Sequence, residues 1–514
     1  LRWDKQFSED HSLTVLGGIT FQQQVNEYVY ASSEGFVTDL TRENSLGSAT
    51  TYNQPNSGQT EWSLNSYIGR IKYNLMDKYL FTINSRIDGS SRFGEENKYG
   101  FFPSGAFAWR LIQEDFIDNL NVFSNLKLRL SYGVTGNQEI GLYQSLPTLS
   151  TLNYTINGAL VTGFAPNKIP NPELQWEKTA EWNAGLDLGF FDNRMRINSD
   201  YFYKKTTNLI YDARVPFVTG FSTSLQNVGS IENKGFEFNL ESDNIVGEFQ
   251  WQSSFNISFY NNKVLELGGE EYKDVGAGDG HLKTGNPHRL IVGEPVAVFY
   301  GYKFDGIYQN EQEVEEGPGG PTAWVGGRRY KDLNGDGKLD AANDHTIIGN
   351  PHPDFYGGFS NTFSYKGFSL NLFMDYQYGN DIFNYNNMDL ELPTGNQNVY
   401  EEMKNYWTPD NPSNVYPKPT TNRAQPFSNR QIEDGSYLKL KTITLSYRFP
   451  NIRENSFFES LKLYVTAQNY FTFTDYRGYD PDISYRGITN VQIGEDYTQY
   501  PRTKSVIFGL NVEF

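Results

Sequence analysis

The chain of 514 residues contains no cysteine, which removes disulfides, iron–sulfur clusters and thiol nucleophiles together. It has no uncharged apolar run of about 18 residues. With a mean hydropathy of -0.60, a bundle of membrane helices is excluded. Histidine is scarce: His11, His281, His288, His345 and His352 show neither His-x-x-x-His nor Glu-x-x-His spacing. His281 and His288 share a loop with Asp274 and Asp279, which fits solvated loop residues better than a site. No Gly-x-Ser-x-Gly elbow occurs, and the glycine-rich stretches lack the Lys-Ser/Thr of a phosphate loop. No catalytic set is nominated, and an enzyme is not expected. Basic residues are the minority, 43 against 61 acidic, and the net charge of -18 argues against nucleic acid or an anionic lipid surface as the main partner.

What the sequence has in abundance is alternation. In the last ten residues Val506, Phe508, Leu510, Val512 and Phe514 fall on one side of a period-2 strand, opposite Ser505, Gly509, Asn511 and Glu513. The same contrast recurs in Phe368, Leu370, Leu372, Met374, Tyr376 and Tyr378 against Ser369, Asn371, Asp375 and Gln377. It recurs again around Trp251, Trp182, Leu445 and Leu128. Charged and amide side chains on the second face of most strands would be costly in a dry sandwich core but suit a wet lumen. Aromatic residues make up 16% of the chain, as expected of a wall with interfacial girdles. A propeller would repeat about every 40–50 residues, and no such self-similarity is present. The pattern therefore predicts an all-β protein, a transmembrane antiparallel β-barrel.

Short turns at Glu9-Asp10, Met76-Asp77-Lys78, Asp192-Asn193, Val246-Gly247 and Lys366-Gly367 define one rim. Long Gly-, Asn-, Pro- and Asp-rich connections, such as 138–173, 309–354, 380–434 and 475–504, define the other. Strict up-and-down alternation requires one further crossing, assigned to His288-Arg-Leu-Ile-Val-Gly293. The total comes to about seventeen strands, good to one or two. An odd count beginning in mid-strand implies that the first strands lie outside this sequence.

Segments from end to end resemble the SusC/RagA family of TonB-dependent outer-membrane transporters. They include Tyr79-Leu-Phe-Thr-Ile-Asn-Ser-Arg-Ile-Asp-Gly-Ser-Ser-Arg-Phe93 with Gly100-Phe-Phe-Pro-Ser-Gly-Ala-Phe-Ala-Trp-Arg110, and Asn227-Val-Gly-Ser-Ile-Glu-Asn-Lys-Gly-Phe-Glu237. Gly293-Glu-Pro-Val-Ala-Val-Phe-Tyr-Gly-Tyr302 and Asp434-Gly-Ser-Tyr-Leu-Lys-Leu-Lys441 are similar to others. The resemblance implies that residues 1–514 are the C-terminal part of a 22-stranded barrel, its N-terminal plug and first strands being outside this sequence. It implies a SusD-like lipoprotein lid and energy from TonB–ExbB–ExbD through that missing part. It also implies a Gram-negative outer membrane as surroundings, with its lipid and lipopolysaccharide. Oligosaccharide import is the first expectation and peptide import the alternative; a passive porin or surface adhesin is the reading from another class.

One segment has ligand spacing. Asp332, Asn334, Asp336 and Asp340 occupy the first, third, fifth and ninth places of a calcium loop, with Gly337 at the sixth and Lys338 offering its carbonyl at the seventh. The twelfth place is Asn343, so Asp344 is the expected closer. Five oxygen-bearing side chains exceed what a turn needs, which favours structural Ca2+ in an outer loop over a metal-free turn cluster. Loop aromatics Tyr143, Tyr154, Trp324, Tyr385, Tyr400, Trp407 and Tyr485 fit loop self-packing better than substrate stacking, and no substrate residue is assigned.

Overall fold

The computed structural model describes residues 1–40, 42–278, 280–282, 284–391, 398–420, 426–449, 458–483, 485–487 and 489–513. Asp279, Phe514 and most of the 450–460 connection lie outside them.

Among the described residues, fifteen strands form one sheet whose order is the chain order. They are β1 (Arg2–Ser8), β2 (His11–Tyr30), β3 (Asn56–Leu75), β4 (Tyr79–Ser90), β5 (Tyr99–Trp109), β6 (Phe123–Asn137), β7 (Glu177–Phe190) and β8 (Met195–Thr207). The series continues with β9 (Ser230–Ile245), β10 (Phe249–Glu266), β11 (Phe355–Tyr365), β12 (Phe368–Tyr378), β13 (Tyr437–Arg448), β14 (Ser460–Thr474) and β15 (Ser505–Glu513). No described helix is long and apolar enough to cross a membrane.

The chain divides into two compact units, residues 1–108, 131–182 and 205–230, and residues 109–130, 183–204 and 231–514. In the first, β2 and β3 pair antiparallel from His11 opposite Leu75 to Tyr30 opposite Asn56, and β3 pairs with β4 around the Met76–Asp77 turn. Both turn residues take positive φ, 56° and 53°, as a tight hairpin with right-handed twist requires. In the second, β10 through β15 pair in succession, and Lys366 and Gly367 form a like turn at φ 46° and 87°.

The wall has no apolar interior. Its greasy residues are bare: Phe508 is 81% exposed, Phe21 73%, and Ile83 and Trp182 60% each. A water-soluble protein would not leave so many large side chains in line, whereas a wall against hydrocarbon must. The buried apolar clusters lie near the strand ends and in the loops instead. One gathers Phe93, Phe102, Leu174 and Trp176 in the first unit; the other gathers Leu282, Phe299, Phe383, Tyr385, Met388, Phe427 and Tyr497 in the second.

The assignment of 288–293 as a crossing is corrected. His288–Ile291 pairs with Tyr272–Asp274 and Val298–Tyr302 in a four-stranded loop sheet completed by His345–Gly349. At roughly 3.3 Å per residue, four residues cannot traverse a hydrophobic band about 25 Å tall. Among the described residues the wall thus holds fifteen strands, against the roughly seventeen expected.

Candidate functional surfaces: the lumen face, the loop core and the acidic loop

Residues alternating with the greasy ones are polar and joined across strands. In the first unit Arg70 donates to Asn84, Asn84 to Ser104, and Arg86 to Asp88 and Ser66. In the second, Arg129 lies 2.8 Å from both Asp187 and Asp200, while Lys127 and Asn198 also reach Asp187. Thr444 pairs with Thr466 and Asn371 with Thr362. Such a face suits a hydrated passage, since each polar group has a partner while its neighbours stay open to water. Some polar residues break the alternation, and one such pair is joined across strands. Ser253 and Asn361 share the face of Trp251 and Phe363, but Asn361 Oδ1 accepts from both Ser253 Oγ and Trp251 Nε1, so the amide oxygen is not bare toward lipid.

The long loops of the second unit are built around buried ions. Glu391, with 2% of its side chain exposed, accepts from Arg430 at 2.8 Å and lies 3.6 Å from Arg477 and 3.9 Å from Arg328. Burial pulls the Arg430 guanidinium below its usual range, against the opposing pull of Glu391. Burial alone would raise the Glu433 carboxyl, but Asn387 and Arg477 hydrogen-bond to it and hold it below the ordinary carboxylate value. His288 Nδ1 donates to the Ala297 carbonyl while Nε2 faces Glu495 at 3.1 Å, with both side chains fully buried. This histidine is a loop fastener, not the solvated residue expected.

His11, His345 and His352 also fill packing roles, whereas His281 keeps its side chain half exposed. His11 bonds Tyr73, His352 bridges Tyr260 and the Val296 carbonyl, and His281 lies 3.9 Å from Asp389. His345 packs edge-on against Tyr302. Burial, with Arg289 adding to it, pushes its imidazole down to about 4. The loop aromatics follow suit: Tyr385 and Trp407 are buried, Tyr485 packs on the loop core, and Tyr143 accepts from the Glu61 amide. Tyr154 stands 57% exposed.

The acidic segment folds as a turn whose backbone matches the expected loop. Gly335 and Gly337 both sit at φ 76°, and their amides donate to Asp332 at 2.6 and 2.7 Å. Asn334 and Asp336 bond each other, and Asp336 accepts from the Lys338 amide. Asp340 caps Ala342 and Asn343, and buried Asp344 clasps the loop by accepting from Leu333 and Asp340 amides at 2.8 Å each. Asp344 thus fastens the loop through backbone amides. Among the described residues no three acidic, His or Cys groups converge as a metal-holding set.

Against known proteins, the family model "TonB dependent receptor-like, beta-barrel" matches residues 1–381. The chain belongs to that family. TonB-dependent receptor P3 of Formosa agariphila is 37% identical across the whole chain and 52% of its own length. TonB-dependent receptor SusC of Bacteroides thetaiotaomicron is 32% identical over 88% of the chain and 44% of its own length. The RagAB peptide transporter superposes with a TM-score of 0.85 at 26% identity, covering 100% of this chain and 54% of that one. This TonB-dependent receptor-like barrel therefore spans about half the length of the relatives it matches, and those relatives are receptors and transporters, not enzymes.

Proposed function

We propose that the chain forms the wall and outer loops of an importer in the Gram-negative outer membrane, carrying oligosaccharides. The supporting observation is the division of the wall into a bare greasy face and a cross-linked polar face. A barrel of more than about sixteen strands is too wide for its side chains to fill, so selective import through it would need a plug. Such a plug would receive energy from TonB–ExbB–ExbD, and a SusD-like lipoprotein would lid the loops. The likeness to the TonB-dependent receptor SusC supports the energy coupling in this reading. Peptide import is the second reading, supported by the likeness to the RagAB peptide transporter.

The test is uptake of labelled oligosaccharides and labelled peptides by cells with and without the gene, each with and without TonB. TonB-dependent loss of oligosaccharide uptake alone supports the first reading. Loss of peptide uptake alone supports the second, and TonB-independent uptake points to a passive pore.

The loop Asp332–Asp344 is proposed to take Ca2+ through Asp332, Asn334, Asp336, Lys338, Asp340 and Asp344. Its oxygen-rich spacing and the left-handed glycine at the sixth place support this. The ion would stiffen the loop. Asp336→Ala is expected to remove calcium-dependent hydrogen-exchange protection of 332–344 while barrel assembly stays normal. Equal protection of the native loop with calcium and with chelator would count against the ion.

A further inference from the structure

Within the second unit, the small loop sheet and the segment before β13 line an open cavity of about 510 Å3. That volume lies inside the range of roughly 300–1,000 Å3 typical of small-ligand sites. Tyr300 and Tyr302 from one strand, His345 from its neighbour and Phe427 from the approaching loop supply its aromatic lining. Two polar atoms of the lining, Asn286 Nδ2 and His345 Nε2, are buried without a hydrogen-bond partner among the described residues. A buried amide donor with no acceptor is costly, so such atoms commonly mark where a ligand or ordered water completes the network.

The cavity carries no uncompensated charge from its ion pair. Arg289 is clamped between the Tyr272 and Tyr300 rings, 4.0 Å from each centroid, and its Nε donates to Asp274 at 2.7 Å. A charged ligand would have to displace that pair. A pyranose ring would not: its C–H faces pack on aromatic carbon, and its hydroxyls both donate and accept. A peptide would instead favour an open strand edge, where its backbone can pair.

We propose that this cavity is a subsite for one ring of a neutral saccharide, with Asn286 and His345 reading its hydroxyls. The inference rests on the oligosaccharide reading given above and adds a place for the sugar outside the lumen. The site lies in the outer-loop region, so it would hold a glycan before or during entry.

Two variants separate the cavity from the fold. Asn286→Asp keeps the acceptor oxygen that caps the His288 amide but replaces the unpartnered donor. Gly285→Leu fills the space instead, because a Cβ there already meets the Phe427 ring at 3.4 Å. The full-length protein, extracted from outer membranes, is titrated calorimetrically with neutral glucan, mannan, xylan and galactan oligosaccharides and with an uncharged peptide pool. Expected is binding of at least one neutral glycan, weakened about tenfold or more by each variant, with unchanged heat-modifiable migration of the barrel. Equal glycan binding by native protein and both variants overturns the subsite and leaves oligosaccharide import standing. Binding of peptide but of no glycan overturns both.

Discussion

Arg430→Met is expected to destabilise the outer-loop core by about 3–5 kcal/mol, the cost of stranding one member of a buried ion pair. Glu391 is 2% exposed at its side chain, and Arg430 meets it through Nε at 2.9 Å and Nη2 at 2.8 Å. Methionine keeps most of the stem's packing but supplies no donor. Arg477 and Arg328 stand farther off, at 3.6 and 3.9 Å, so they soften the loss without replacing the pair. The loss should appear as faster hydrogen exchange in 384–391 and 428–434, with β10 to β15 unaffected. Adding Glu391→Gln should recover part of it, because the uncompensated carboxylate is then gone. Equal exchange in native protein and Arg430→Met would show that the pair does not hold the loops.

Ile83→Arg should cost about 2–4 kcal/mol and reduce the yield of heat-modifiable barrel, the penalty for a cation on the lipid face near mid-wall. Ile83 is 60% exposed and lies opposite Ile71, itself 46% exposed. In a soluble sheet, an arginine at so open a position would change stability by no more than about 0.5 kcal/mol. Thr82→Glu, one residue away and paired across β3 with Lys72, faces the lumen and should assemble normally. The measurement is the assembled fraction of each variant in outer membranes, together with urea midpoints in bilayers. Equal tolerance of both substitutions would remove hydrocarbon from one side of the wall.

The wall was legible because its signal is local. Period-2 alternation in β12 or β15 needs only neighbouring residues, and the Lys366–Gly367 turn announces itself by chemistry. His288–Ile291 was misassigned because parity, not local alternation, asked for a strand there. The loop architecture was not legible. Glu391 and Arg430 are 39 residues apart, and Tyr302 and His345 meet only because loop strands pair. Neither pairing has a periodicity to betray it. Ser253 and Asn361 were hidden likewise, since polarity on a lipid face reads as an error until the cross-strand bond is seen.

For the acidic loop, sequence spacing anticipated the sharp turn at Gly337. It did not anticipate how many of the carboxylate oxygens accept backbone amides. Residue types give the donor count, whereas the folded loop decides how those donors are shared between turn and ion.

The native chain lacks cysteine, so single cysteines can be placed along β4 without background. Phe81, Ile83 and Ile87, each replaced in turn and labelled with a fluorophore, should be quenched by nitroxides on lipid acyl chains, whereas Thr82, Asn84 and Asp88 should not. Quenching that alternates in this way places hydrocarbon against the greasy face. Uniform quenching along β4, or none at any of the six positions, would contradict a membrane wall with an aqueous inner side.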